Sequence, residues 1–149
     1  MKLKKSFIWL LLFLLVFLSA CGEQRIESKI PDVNTNTNIV LEIVDDTLSP
    51  SGVVIKMTNY TDENLWYGEG FTLEESINEK WYVVPYQGTD GHNVPAIGYI
   101  LNANQTDEKE ITWTYPYGTL SEGTYRLILS FGVEDSGRKY NSAVEFSIE

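Results

Sequence analysis

Cysteine and histidine are the side chains most often recruited for nucleophilic, acid–base and metal chemistry, and this chain of 149 residues holds one of each, Cys21 and His92. A serine–histidine–carboxylate triad would have to use His92. That residue sits in "GTDGHNVP", whose composition reads as a loop, and no nucleophile-elbow pattern lies near it. Zinc needs several nitrogen or sulfur ligands, more than one histidine can supply. Carboxylates are plentiful, and Asp45-Asp46, Asp62-Glu63 and Asp107-Glu108 fall near expected strand ends where calcium is often held. None of them forms a D-x-D-x-D-G loop, and acidic rims solvated by water account for them equally well. The expectation is a protein with no catalytic residues, no metal and no cofactor.

Cys21 has a different chemistry. Before it come Lys2, Lys4 and Lys5, an apolar run from Phe7 to Leu18, and the small residues Ser19 and Ala20, which together read as a signal peptide. The run is about 12 residues long, whereas a membrane-spanning helix needs about 20. Leu18-Ser19-Ala20-Cys21 resembles the lipobox of bacterial lipoproteins, in which the thiol receives a diacylglyceryl group and the preceding peptide is cut away by the lipoprotein signal peptidase. The resemblance implies lipid on Cys21, attachment to the extracytoplasmic face of the cell membrane, and the lipoprotein-processing enzymes as partners. Two acyl chains anchor stably where one binds only marginally. A thioether also leaves no thiol for a disulfide, so the mature fold has to stand without a cross-link.

The charge balance excludes one class of partner. Loss of residues 1–20 removes three of the 11 basic residues and none of the 21 acidic ones, moving the net charge from −10 to −13. No basic footprint for nucleic acid exists, and an acidity of this degree predicts a domain kept soluble and away from an anionic bilayer. Residues 22–38, "GEQRIESKIPDVNTNTN" after the cysteine, have no apolar face and read as a flexible tether. From Ile39 to Glu149 about 110 residues remain, enough for one domain with its own core.

Within residues 39–149 the apolar positions alternate with period two, which is the signature of strands. "GVVIKMTN" places Val53, Ile55 and Met57 on one face; "EKEITWTY" aligns Ile111, Trp113 and Tyr115; "TYRLILSF" aligns Tyr125, Leu127, Leu129 and Phe131; "AVEFSIE" aligns Val144, Phe146 and Ile148. Further strands are expected at Ile39–Asp45, Phe71–Ile77 and Lys80–Pro85, the last two joined by a turn near Asn78-Glu79. About seven short strands, turn residues between them and no convincing helical spacing predict an all-β antiparallel β-sandwich, which one segment sharpens to an immunoglobulin-like one. "LSEGTYRL" carries Leu120, Gly123 and Tyr125 in the L-x-x-G-x-Y spacing of a tyrosine corner, where the hydroxyl bonds back to upstream backbone. Trp81 is expected to fill the space between the two sheets.

"YGEGFTLEESINEKWYVVP", "GYIL" and "YGTLSEGTYRL" together resemble the bacterial immunoglobulin-like domain found in lipoproteins of Gram-positive bacteria, over roughly Ile39 to Ile148. Tyr67, Gly68, Phe71, Leu73, Glu74, Trp81, Tyr82, Pro85, Gly98, Tyr99, Tyr117, Gly118, Gly123, Tyr125 and Arg126 stand at the family's motif positions. The resemblance implies an extracytoplasmic module and no reaction.

Binding is therefore the expected task. Trp66, Tyr67, Tyr86, Tyr115 and Tyr117 flank expected loops, and loop aromatics are common material of contact sites. Trp66 and Tyr86, with His92 in the wide connection from Tyr86 to Tyr99, are the candidate binding residues; Tyr67 and Tyr117 are assigned to the scaffold. The partner would be another envelope protein, a glycan or a ligand. The alternative is a sandwich-type proteinase inhibitor presenting the 86–99 loop, which no disulfide would stiffen.

Overall fold

The computed structural model describes residues 25–30, 32–87, 96–134 and 136–149. Cys21 with its lipobox, and His92 with most of the 86–99 connection, lie outside the described residues. Among the described residues the strands are β1 Ile26–Glu27, β2 Ile39–Ile43, β3 Gly52–Asn59, β4 Leu65–Gly68, β5 Thr72–Ile77, β6 Lys80–Val83, β7 Gly98–Leu101, β8 Thr106–Thr112, β9 Gly123–Val133 and β10 Lys139–Ile148, with one helical turn, α1, at Thr114–Tyr117. They form two antiparallel sheets, β2-β3-β8 and a larger one of seven strands centred on β9. The β-sandwich expected from the alternation is the fold observed.

The register of the larger sheet decides its shape. β10 pairs with β9 from Gly123 through Gly132 and so occupies one flank of that strand. β5 pairs with β9 around Tyr125–Ile128 and β4 with Gly132 and Val133, so β4 and β5 share the other flank end to end. They act as one strand interrupted at residues 69–71. Beyond β4 lies β7; beyond β5 lie β6 and then β1. β1 and β7 therefore edge the same side of the sheet, one below the other. The turn from β5 to β6 places Asn78 and Glu79 at positive φ, the left-handed pair that a two-residue hairpin requires.

The period-two pattern sorts side chains as it should. Val53, Ile55, Met57, Leu73, Ile111, Leu127, Leu129, Phe131, Phe146 and Ile148 are all buried in one core. The aromatic at its centre is Trp113, not Trp81. Trp113 is completely buried, stacks on Phe146 at 5.5 Å between centroids, and its indole N–H donates to the Pro50 carbonyl at 2.8 Å. Trp81 pairs with Ser76 on the outer surface of the sheet and is only half-buried there, with the Arg126 guanidinium over its ring. Tyr115 also departs from expectation: β8 ends at Thr112, and α1 turns Tyr115 out to 70 % exposure.

Tyr125 makes the corner. It is buried, its hydroxyl donates to the Ser121 carbonyl at 3.0 Å, and its ring stacks on Phe146. Gly123 lies beneath that ring, where a Cβ would come within 3.2 Å of it. At the other end Asn59, completely buried, donates to the Glu63 and Asn102 carbonyls and accepts from the Thr61 N–H and hydroxyl. Every polar atom of that amide is used where water cannot reach it.

The stretch expected to be a flexible tether behaves differently wherever it is described. Ile26 and Glu27 pair with Val83 and Tyr82, and the Ser28 N–H donates to the Trp81 carbonyl at 2.8 Å. Further on, the Asn34 N–H donates to the Asn141 carbonyl, and the Asn34 side chain both donates to and accepts from the backbone of Ala143. Residues 26–28 thus bond along the β6 edge of the large sheet and Asn34 along its β10 edge, and the two moorings make this stretch a strap. A polar sequence without periodicity gives no strand signal, but these bonds use backbone and short Ser and Asn side chains and need no apolar face.

Candidate functional site

The strap is moored on a buried charge. Glu74 of β5 and Arg126 of β9 are opposite one another on the outer surface of the sheet, and both are buried. Arg126 Nε–H and Nη2 each lie 2.6 Å from Glu74 Oε2, and the Ser28 hydroxyl donates to Oε1. The guanidinium is held over the Trp81 ring at 4.5 Å. The carboxylate thus has a partner for each oxygen, the condition under which a buried ion pair is tolerated. Their mutual contact explains how the outer face of the sheet carries two buried charges.

Above it, where β4 and β5 part company, the same surface opens into a groove of about 340 Å³. Its floor and walls include Gly68, Gly70, Gly132, Phe71, Thr72, Ser130 and Lys139, and Trp66 forms one side. Trp66 lies in β4 rather than beside a loop, and 47 % of it is exposed. Its indole lies directly on Gly132 of β9: a Cβ there would fall 2.2 Å from the ring. Only glycine permits this contact, so β9 holds the ring as a fixed platform. An aromatic platform beside hydroxyls and an ammonium group is the usual composition of a site that fits a ring or an extended peptide side chain.

Tyr86 is elsewhere. It packs edge-on against Tyr117, which donates its hydroxyl to the Phe71 carbonyl at 3.2 Å, and the two border a separate hollow of about 310 Å³ with Ile26, Thr72, Val83, Val84 and Pro85. Burial pushes the Tyr117 phenol up. Tyr86 and Trp66 therefore face different openings and do not form one site. Tyr67 and Tyr117 are buried.

On the inner side of β4 and β7, Tyr67 and Tyr99 stack at 5.3 Å, with the Lys109 ammonium 4.8 Å from the Tyr99 ring and 2.7 Å from Glu69. Tyr99 also donates to Glu69, and these bonds hold the Glu69 carboxyl below its ordinary range. Burial, reinforced by the Asp107 carboxylate, pushes the Tyr67 phenol up to about 12. The group bridges β7 and β8 and closes the side of the sandwich. Among the described residues no three histidine, cysteine or carboxylate side chains converge to hold a metal. Nor is any helix among them long and apolar enough to cross a membrane.

No curated protein matches the sequence. Among solved structures, the archaellum periplasmic stator protein FlaG from Sulfolobus acidocaldarius is similar at 16 % identity and a TM-score of 0.40, over 72 % of this chain and 99 % of that one. Residues 35–147 match the family described as the bacterial Ig-like domain, beginning four residues before β2 and taking in every strand from β2 to β10. The chain is a member of the bacterial Ig-like domain family.

Proposed function

We propose that this protein is an extracytoplasmic lipoprotein, acylated on Cys21, whose Ig-like domain serves as a non-catalytic interaction module at the cell envelope. The observation that carries the binding role is the half-exposed Trp66 indole fixed on Gly132 beside an open groove. A buried tryptophan would serve the core and a mobile one would lose entropy on contact; a pre-positioned one favours binding. The anchor rests on the lipobox-like Leu18-Ser19-Ala20-Cys21. The occupant of the groove is another envelope protein, a glycan or a small ligand.

Two variants separate the parts of this reading. Cys21→Ala should abolish partition into detergent and leave precursor or released protein; equal membrane retention of fully processed variant would refute acylation. Trp66→Ala, with the melting temperature held within a degree or two, should weaken capture of an envelope component that the wild type retains. Unchanged capture would remove the groove from the reading and leave the anchor untouched.

A further inference from the structure

We propose that the side of the sheet edged by β1 and β7 lies against the bilayer surface. The inference rests on acylation of Cys21 and goes beyond it, because an anchor alone leaves the orientation of the domain open. Arg25 is four residues after Cys21, and four residues reach at most about 14 Å even when fully extended. Arg25 is itself fixed, by an ion pair with Glu75 and by the pairing of Ile26 with Val83 that follows. The lipid is thus tied by a short leash to one flank of the domain, the flank away from β10.

What that flank displays fits a lipid–water interface. Ile26 on β1 is 62 % exposed, Ile97 and Ile100 at β7 are each 50 % exposed, and Tyr115, 70 % exposed, lies on α1, which the bond from the Gln87 N–H to the Pro116 carbonyl ties to the chain leaving β6. Isoleucine and tyrosine side chains of this kind settle at the level of the headgroups. Three acids of the flank, Glu75, Glu27 and Glu69, are each matched by a cation, Arg25, Lys80 and Lys109. The repulsion expected between so acidic a chain and an anionic membrane is therefore reduced on this side. With β1 and β7 facing the lipid, the Trp66 groove opens sideways along the membrane.

The test uses the full acylated protein in vesicles of phosphatidylcholine and phosphatidylglycerol. Acylation leaves no native thiol, so single cysteines can be labelled with an environment-sensitive dye in Ile26→Cys, Ile100→Cys and Tyr115→Cys, and in Glu145→Cys on β10 as the distant site. Doxyl-labelled lipid should quench the three flank labels several-fold more strongly than the label at 145, and aqueous iodide should do the reverse. Two flank sites suffice should one substitution loosen its strand. Equal iodide access at all sites in vesicle-bound protein overturns the orientation while leaving the anchor in place. Shielding from iodide without quenching by lipid would assign the flank to a second copy and overturn it too. Failure of the unlabelled protein to partition into vesicles would remove the anchor and the orientation together.

Discussion

Removal of the Glu74 carboxylate should be among the most damaging single changes available to this domain. In Glu74→Ala the Arg126 guanidinium keeps its place over Trp81, almost fully buried, but loses both of its 2.6 Å contacts to the carboxylate. Ser28 loses its acceptor as well, so the strap loosens over the unpaired charge. Breaking a buried pair from one side costs about 3–5 kcal/mol because the surviving ion has no compensation. With a urea slope of about 1.5 kcal/mol per molar, the midpoint should fall by about 2–3 M. Chemical denaturation of the soluble chain from residue 22 onwards, followed by tryptophan fluorescence, measures it directly. A second variant isolates the cause: Glu74→Leu with Arg126→Met removes both charges and keeps the volume, and should recover most of the loss. A drop below about 1 kcal/mol in Glu74→Ala, or a double variant no better than the single, would refute the reasoning, since either result means that the pair is solvated.

Further outcomes follow from the same geometry. Tyr125→Phe leaves the Ser121 carbonyl without its donor and should cost about 1–3 kcal/mol in denaturation experiments. Trp113→Ala, which empties the centre of the core, should cost about 3–5 kcal/mol; Trp81→Ala, which removes a half-buried ring from beneath the Arg126 guanidinium, should cost about 1–2 kcal/mol, and the reverse order would contradict the packing. A fragment beginning at Ile39 should unfold at lower temperature than one beginning at Arg25, by differential scanning calorimetry, because it lacks the strap; equal melting temperatures would show the strap to be idle. Finally, the Tyr67 phenol titrates near 12 in the folded protein and near about 10 in an unfolded chain. The stability from its neutral form is therefore complete below pH 10 and lost as pH rises towards 12. Tyr67→Phe should flatten that decline in unfolding free energy, and an unchanged slope would refute the assignment.

The alternation of "GVVIKMTN" and "TYRLILSF" made the strands and their buried faces legible, because a sheet with one wet surface imposes period two on its sequence. The corner at Tyr125 was legible for a related reason: glycine two residues earlier is what a ring folded back over the chain needs. Trp113 was legible too, lying in phase with Ile111, but that phase competed with the motif position of Trp81. Period two shows which residues share a face without saying which face is inside. The Glu74–Arg126 pair was visible as two motif residues and invisible as a pair, since partners 52 positions apart meet only through the register of β5 on β9. The same holds for Trp66, whose platform depends on a glycine in a strand that pairs with it only at its far end. The strap was the least legible element, because its stability comes from backbone edges that two other strands supply.

The strap also sets an order of events. Its bonds are to residues 46 and 109 positions further along, so the Ser28 mooring waits for β5 and the Asn34 mooring for the last strand, β10. Contacts of such separation form late, since the loop they close has to be ordered first. A chain emerging from a membrane with its N-terminus already held by lipid would thus spend its early life with Glu74 and Arg126 wet and the N-terminal segment free. With Cys21 acylated as proposed, the processing enzymes would act on this slack segment before completion of β10 draws it taut across the sheet.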